Sequence, residues 1–250
     1  MRIGGVEKLT LIDYPGKLAA IIFTVGCNFR CGFCYNPMLV WPRMEELDTE
    51  NTKGQRQDLE ANDDSPLTSV AGLFHFLKKR AGKLEGVVIT GGEPTLHADL
   101  PEFISEIKSL GYSIKLDTNG TNPEMLEKLI ADQLIDYIAM DIKAPADKYS
   151  ETVQVSIDFN KIEKSVKMIM QSGLPYEFRT TVVPSLIIDQ DIAAMGKIIA
   201  GADKWYLQKF KADTEIINPE FRKQAGYSDQ KMKALAEIGK EFVKLCEYRG

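Results

Sequence analysis

The chain has 250 residues, 44% hydrophobic and 27% charged, with a formal net charge of −5. That length buries one sizeable core and suits an α/β barrel, and the composition excludes disordered and fibrous classes. The negative balance argues against a general nucleic-acid binder, which carries a basic face. The start, Met1-Arg2-Ile3-Gly4, lacks a charged-then-apolar leader pattern. The longest apolar run, Leu18 to Cys27, is about half of what a bilayer span needs. The expectation is a cytoplasmic protein with no membrane and no nucleic-acid partner.

In chain order, Ile12-Asp13-Tyr14-Pro15-Gly16-Lys17 has the composition of a β-turn. Apolar runs bounded by turn residues predict strands at Ala19–Val25, Gly86–Thr90, Ser113–Asp117, Asp136–Asp141, Pro175–Val182 and Asp203–Gln208. After the first of these, Met44 to Thr68 is polar, with Met44, Leu47, Leu59 and Leu67 its only large apolar residues. It reads as a solvated acidic insertion at about 44–68. Glu45 to Ser65 holds eight acidic and two basic residues, so this segment alone exceeds the negative charge of the whole chain.

Helix starts are signalled at Asp99-Leu100-Pro101-Glu102, at Asn122-Pro123, and at Asn160 with Glu163 as a capping box. Gly111 and Gly173 stand where helix ends take a left-handed residue. A last helix is expected from about Ser228 to Tyr248, with Met232, Leu235, Phe242 and Cys246 on one stripe, making Cys246 a core thiol. No internal repeat or second domain is visible, and residues 1–250 read as one domain. Alternating strands and helices imply a parallel sheet. Six strands leave two architectures open, a doubly wound sheet and a partly closed barrel, and both place chemistry at the carboxyl ends of the strands.

Of the four cysteines, Cys27, Cys31 and Cys34 fall within eight residues directly after the first predicted strand, and Cys246 is far away. A disulfide framework would spread them; in a reducing compartment such a cluster reads as metal binding. A structural zinc or ferredoxin-type cluster takes four protein ligands. His75 and His97 could complete a zinc site, yet neither belongs to a paired ligand motif. Three thiolates with no evident fourth suggest an iron left open to substrate. Three further segments end predicted strands. Gly91-Gly92-Glu93-Pro94 is either a plain turn or a place where a ligand meets the backbone, with Glu93 as an anionic acceptor. Asp117-Thr118-Asn119-Gly120 ends the third strand and Met140-Asp141-Ile142-Lys143 the fourth. Asp141 and Lys143 share a strand face, as a structural ion pair or as ligand contacts.

Cys-x3-Cys-x2-Cys after the first strand, in phase with Gly-Gly-Glu, resembles the radical S-adenosylmethionine (SAM) superfamily. The resemblance implies an α/β fold of the partial (β/α)6 TIM-like barrel type. It implies one 4Fe–4S cluster on Cys27, Cys31 and Cys34, whose fourth iron chelates SAM and cleaves it to a 5′-deoxyadenosyl radical. It assigns SAM contacts to Phe33, Tyr35, Asn36, Gly91, Gly92, Glu93, Asp117, Thr118, Asp141, Lys143 and Arg179. A monovalent cation near the SAM carboxylate is implied as well, held with help from residues at the ends of the third and fourth predicted strands.

The opening Ile12-Asp13-Tyr14-Pro15-Gly16-Lys17 with Cys-Asn-Phe-Arg-Cys resembles the glycyl-radical enzyme activating enzymes. The likeness is greatest to the anaerobic ribonucleoside-triphosphate reductase activating proteins and extends to pyruvate formate-lyase activating enzyme. It implies a protein substrate, with Asp13 near the partner's glycine loop, and an electron donor such as flavodoxin or ferredoxin. Leu207-Gln208-Lys209-Phe210 departs from the family, some members of which carry a SAM-contacting histidine there. The rival resemblance is to 7-carboxy-7-deazaguanine synthase, acting on a small pterin; a non-enzymatic metal-binding protein is a third reading.

Overall fold

The computed structural model describes residues 1–40, 66–213 and 215–250. Most of the expected acidic insertion, through Ser65, lies outside them. The chain divides into two compact units. The first comprises Met1–Asn28, Met38–Thr118 and Glu124–Tyr137, and the second Phe29–Pro37, Asn119–Pro123 and Ile138–Gly250.

The first unit is built on β1 (Ile3–Thr10) and β2 (Ala19–Thr24), followed by α1 (Pro37–Val40), α2 (Val70–Arg80), β3 (Gly86–Gly91), α3 (Leu100–Ser109), β4 (Ser113–Thr118) and α4 (Pro123–Ala131). β1 pairs antiparallel with β2; β2, β3 and β4 follow in parallel register, with Ile21 beside Val88 and Val88 beside Lys115. β1 was not predicted, because Gly4, Gly5, Glu7 and Lys8 hide its periodicity and only Ile3 and Thr10 are buried along it. One face of the sheet gathers Tyr14, Ala19, Ile21, Val88 and Tyr137 into an apolar cluster flanked by Phe23. On β2 and β3 the alternate residues Ala20, Ile22, Val87 and Ile89 are fully buried, as strands covered on both faces must be. The polar stretch before α2 ends in a cap: Ser69 Oγ accepts the Gly72 N–H at 3.1 Å.

The second unit carries β5 (Tyr137–Asp141) from Ile138 onward, α5 (Tyr149–Val153), α6 (Phe159–Gln171), β6 (Tyr176–Val182), α7 (Asp189–Ile198), β7 (Lys204–Lys209), α8 (Asp229–Lys240) and β8 (Leu245–Arg249). β5, β6, β7 and β8 pair in that order, all parallel. The six predicted strands correspond to β2 to β7 within a residue or so at each end. Gly111 and Gly173 take positive φ as expected. The capping box expected at Asn160 and Glu163 is corrected: α6 starts earlier, and the Asp158 carboxylate accepts the Asn160 N–H at 3.1 Å.

The expected last helix is also corrected. α8 stops at Lys240, a turn follows, and Leu245 to Arg249 form β8 against β7. Apolar positions 232, 235, 242 and 246 satisfy a helical stripe by coincidence, while Leu-Cys-Glu-Tyr-Arg alternates as a strand. Cys246 is fully buried, burial pushes its thiol up to about 12, and Gly239 is small enough to admit its sulfur, which would lie 2.4 Å from an added Cβ. Cys246→Ala therefore lowers stability by about 1 kcal/mol in urea denaturation and leaves the iron content of the reconstituted protein unchanged. Loss of iron would reveal Cys246 as a ligand.

Candidate active site

The chain reaches Cys27 from the end of β2 through a tightly tied segment. Gly92 N–H donates to Thr24 O and Glu93 N–H to Gly26 O, both at 2.8 Å, while Gly26 N–H donates to Leu39 O at 2.7 Å. A Cβ on Gly92 would lie 2.0 Å from Gly26 O. Gly91, at φ +112°, would bring one within 2.4 Å of Thr24 N. The two glycines were expected to admit a ligand; within the first unit they admit the chain's own backbone. His97, considered as a zinc ligand, instead donates from Nε2 to Val25 O at 3.0 Å. Burial lowers its pKa, with the bond to Val25 O acting in the opposite direction. Nothing in the sequence marked His97 for that task.

Glu93 and Thr118 are brought together. Glu93 is 1% exposed, and its Oε1 accepts from the Thr95 N–H at 3.1 Å, the Thr95 hydroxyl at 2.5 Å and the Thr118 hydroxyl at 2.7 Å. One carboxylate oxygen is thereby committed to joining the Gly-Gly-Glu turn to the end of β4. One residue before Thr118, Asp117 is buried and ion-paired with Lys115, itself 1% exposed. Lys115 was not singled out from sequence, since one lysine within an apolar strand has no pattern around it.

Asp13 lies elsewhere. It sits in the turn between β1 and β2, where it accepts a hydrogen bond from the Thr10 hydroxyl, and Thr10 pairs with Ala19 at the start of β2. Cys27 follows the other end of that strand, about 17 Å of strand away at ~3.3 Å per residue. Asp13 and Cys27 thus stand beyond opposite ends of β2. Leu9, Leu11, Ile12 and Leu18 surround it in sequence at 42–84% exposure.

Cys31 and Cys34 belong to the second unit, on a turn closed by Cys34 N–H to Cys31 O at 3.0 Å. Asn36 N–H points to Cys34 Sγ at 3.4 Å. Cys31 is buried, which pushes its thiol up to about 11, with the Lys143 charge acting in the opposite direction. The turn leans on aromatic residues that follow β7. Tyr35 stacks on Phe210 at 6.1 Å and its hydroxyl accepts from Lys211 N–H at 2.8 Å; Phe33 meets Phe221 edge-on at 6.2 Å. Phe210, in the segment that departs from the family pattern, thus stacks on Tyr35. On the amino side Phe29 packs against Tyr149 at 6.3 Å. The Tyr149 hydroxyl lies 3.4 Å from Lys143 N and 3.5 Å from Asp141 O, so a residue absent from the sequence-derived site joins the cysteine segment to the end of β5.

The end of β5 is a three-residue ion network. Asp141 Oδ2 receives Lys143 Nζ at 2.8 Å and Oδ1 receives Arg179 Nε at 2.9 Å, all three side chains being at most 22% exposed. Burial works against a charged Asp141, yet Arg179 and Lys143 outweigh it and hold the carboxyl well below the usual range. Burial likewise opposes the Lys143 charge, and Asp141 overcomes it and raises that pKa.

Among the described residues no three His, Cys, Asp or Glu side chains form a group that could hold a metal ion. The assignment of an iron–sulfur cluster rests on donor chemistry, and that chemistry fits. Three cysteines lie on one short segment, and Cys34 sulfur already accepts an N–H of the kind that tunes cluster thiolates. No helix of the described residues is long and apolar enough to cross a membrane.

The radical SAM superfamily pattern matches residues 21–195, and the chain belongs to that superfamily. It is accordingly an enzyme of radical chemistry, and the family's cofactors are a 4Fe–4S cluster and SAM. Among its relatives is a Methanocaldococcus jannaschii protein named "putative glycyl-radical enzyme activating enzyme", 32% identical over 96% of this chain and 92% of that one. Pyruvate formate-lyase-activating enzyme of Listeria monocytogenes is 34% identical over 57% of this chain and 53% of its own. An Aquifex aeolicus 7-carboxy-7-deazaguanine synthase is 27% identical over 62% and 69%. Among solved structures, Streptococcus suis SuiB matches 93% of this chain and 49% of its own at TM-score 0.62 and 14% identity. A domain of a Bacteroides vulgatus pyruvate-formate lyase-activating enzyme matches 66% and 99% at TM-score 0.53 and 16% identity. These two likenesses establish the fold, the radical SAM form of the partial TIM barrel, and nothing finer.

A depressed folded-state pKa means that the unfolded chain takes up protons first as pH falls. The stabilisation carried by Asp141 is therefore complete above the ordinary carboxylate pKa of about 4, and is lost as pH falls to the depressed value. Asp141→Asn strands two buried cations and should lower stability at pH 7 by about 3 kcal/mol. The gap from wild type, followed by urea denaturation, should narrow below about pH 4.

Proposed function

We propose that the chain activates a glycyl-radical enzyme by abstracting a hydrogen from a glycine α-carbon of that partner, in the manner of an anaerobic ribonucleotide reductase activase. The observation that carries this reading is the β1–β2 hairpin. Leu9, Leu11, Ile12 and Leu18 are exposed around Asp13, a concentration of apolar surface that suits a protein partner and has no use in an enzyme of a small pterin. The full-length likeness to the archaeal relative, named as a glycyl-radical activating enzyme, supports it.

In this reading residues 1–250 act as one radical SAM domain, and Cys27, Cys31 and Cys34 hold the iron. When bound, the cluster and SAM supply the 5′-deoxyadenosyl radical. The remaining roles belong to side chains. Lys143 and Arg179 present a fixed positive pair suited to the SAM carboxylate, oriented by Asp141. Glu93, held by Thr95 and Thr118, and the Gly91-Gly92 turn face the SAM ammonium. Asp117 contacts SAM at the end of β4, and Phe33, Tyr35 and Asn36 hold the adenosyl side. Asp13 contacts the partner. An electron donor such as flavodoxin or ferredoxin reduces the cluster, and the protein works in the cytoplasm.

The test is an anaerobic reaction with SAM, reductant and a candidate glycyl-radical enzyme, read by electron paramagnetic resonance. A glycyl doublet on the partner supports the proposal. Formation of a ring-contracted product from 6-carboxytetrahydropterin overturns it in favour of the synthase reading, which has the Aquifex likeness behind it. Alanine at Cys27, Cys31 or Cys34 should abolish 5′-deoxyadenosine formation. Asp13→Ala should spare uncoupled SAM cleavage and lower radical transfer about tenfold, the equivalent of ~1.4 kcal/mol; equal loss of both would remove Asp13 from the partner surface.

A further inference from the structure

We infer that Lys115 supplies from within the chain the positive charge for which the family resemblance calls on a monovalent cation, so that SAM binding needs no added potassium or sodium. The inference rests on SAM binding at the strand ends as proposed above.

Lys115 and Asp117 stand two apart on β4 and so project from the same face. Strand register sets Lys115 beside Val88 and Val88 beside Ile21, level with the apolar cluster that includes Tyr14 and Tyr137. The lysine is 1% exposed, its ammonium is ion-paired with Asp117, and Nζ lies 6.0 Å from the centre of the Tyr137 ring. An ammonium in such surroundings is tolerable only beside a carboxylate, and the reverse holds for Asp117. The four-carbon stem packs among apolar neighbours and delivers the charge to the carboxylate as a tethered ion.

A potassium or sodium ion bound to Asp117 would meet an ammonium already within hydrogen-bond reach of the same group. The carboxylate at the end of β5 is no more available. Asp141 receives Lys143 on one oxygen and Arg179 on the other. Within each compact unit the carboxylate in question has its counter-charge built in, and the residues present do not fit an added cation. Lys115 acts through Asp117 and is a positioning residue.

The test compares wild type, Lys115→Met and Lys115→Arg in tetramethylammonium chloride with and without potassium chloride at equal ionic strength. The first readout is the SAM dissociation constant of the cluster-loaded protein. The second is the thermal midpoint of the iron-free protein. For wild type we expect less than a twofold change in affinity and no shift in midpoint on adding potassium. Lys115→Met should bind SAM at least tenfold more weakly without potassium and recover with it, its midpoint rising in parallel. Lys115→Arg should stay independent of potassium. A wild-type affinity that falls tenfold without potassium or sodium overturns the inference, as does a Lys115→Met protein indifferent to both ions. Should that variant fail to fold, the wild-type comparison alone decides. Absence of SAM binding by wild type in every salt would instead sink the functional reading, and this inference with it.

Discussion

A carboxylate taken out of water must find positive charge or hydrogen-bond donors, and the ends of these strands are organised around that demand. Three such carboxylates are buried or largely so, and each is answered differently. Glu93 is answered by neutral donors: two hydroxyls and one backbone N–H converge on one oxygen. Asp117 is answered by one tethered ammonium and Asp141 by two cations on separate oxygens. Removing water strengthens each pairing and equally raises the cost of breaking it. The side chains expected to bind SAM are consequently fixed in place by partners within their own compact unit.

Backbone constraint does comparable work before the first cysteine. Gly26 receives Glu93 and donates to Leu39, Gly92 reaches Thr24, and His97 holds the Val25 carbonyl. No side chain fits between Gly92 and Gly26. Glycine in this turn therefore serves the chain's own close packing, whatever else it serves, and the segment entering the cysteine loop is fixed on several sides. Precision here comes from excluded volume and from hydrogen bonds to the main chain.

Much of this was legible in the sequence, for physical reasons. β2 to β7 are short apolar runs between turn residues, and burial on both faces makes such runs conspicuous. β1 escaped because an edge strand with one buried face can carry glycine and charge. β8 was misread because its apolar positions fell in phase with the preceding helix, and periodicity cannot see where a helix stops without a terminator. The cysteines, Glu93, Asp141 and Arg179 announce themselves by type and by their place at strand ends. His97, Lys115 and Tyr149 do not, since each matters through a neighbour that only folding supplies. Asp13 shows the converse: a motif not far from the cysteines in sequence sits beyond the other end of β2.

The aromatic support of the cysteine turn bears on how the protein is made. Phe210, Lys211 and Phe221, which brace Tyr35 and Phe33, stand some two hundred residues after the thiols in a chain synthesised from its amino end. Until those residues are made, Tyr35 and Phe33 lack these partners. The finished form of the cysteine turn is thereby tied to completion of nearly the whole polypeptide.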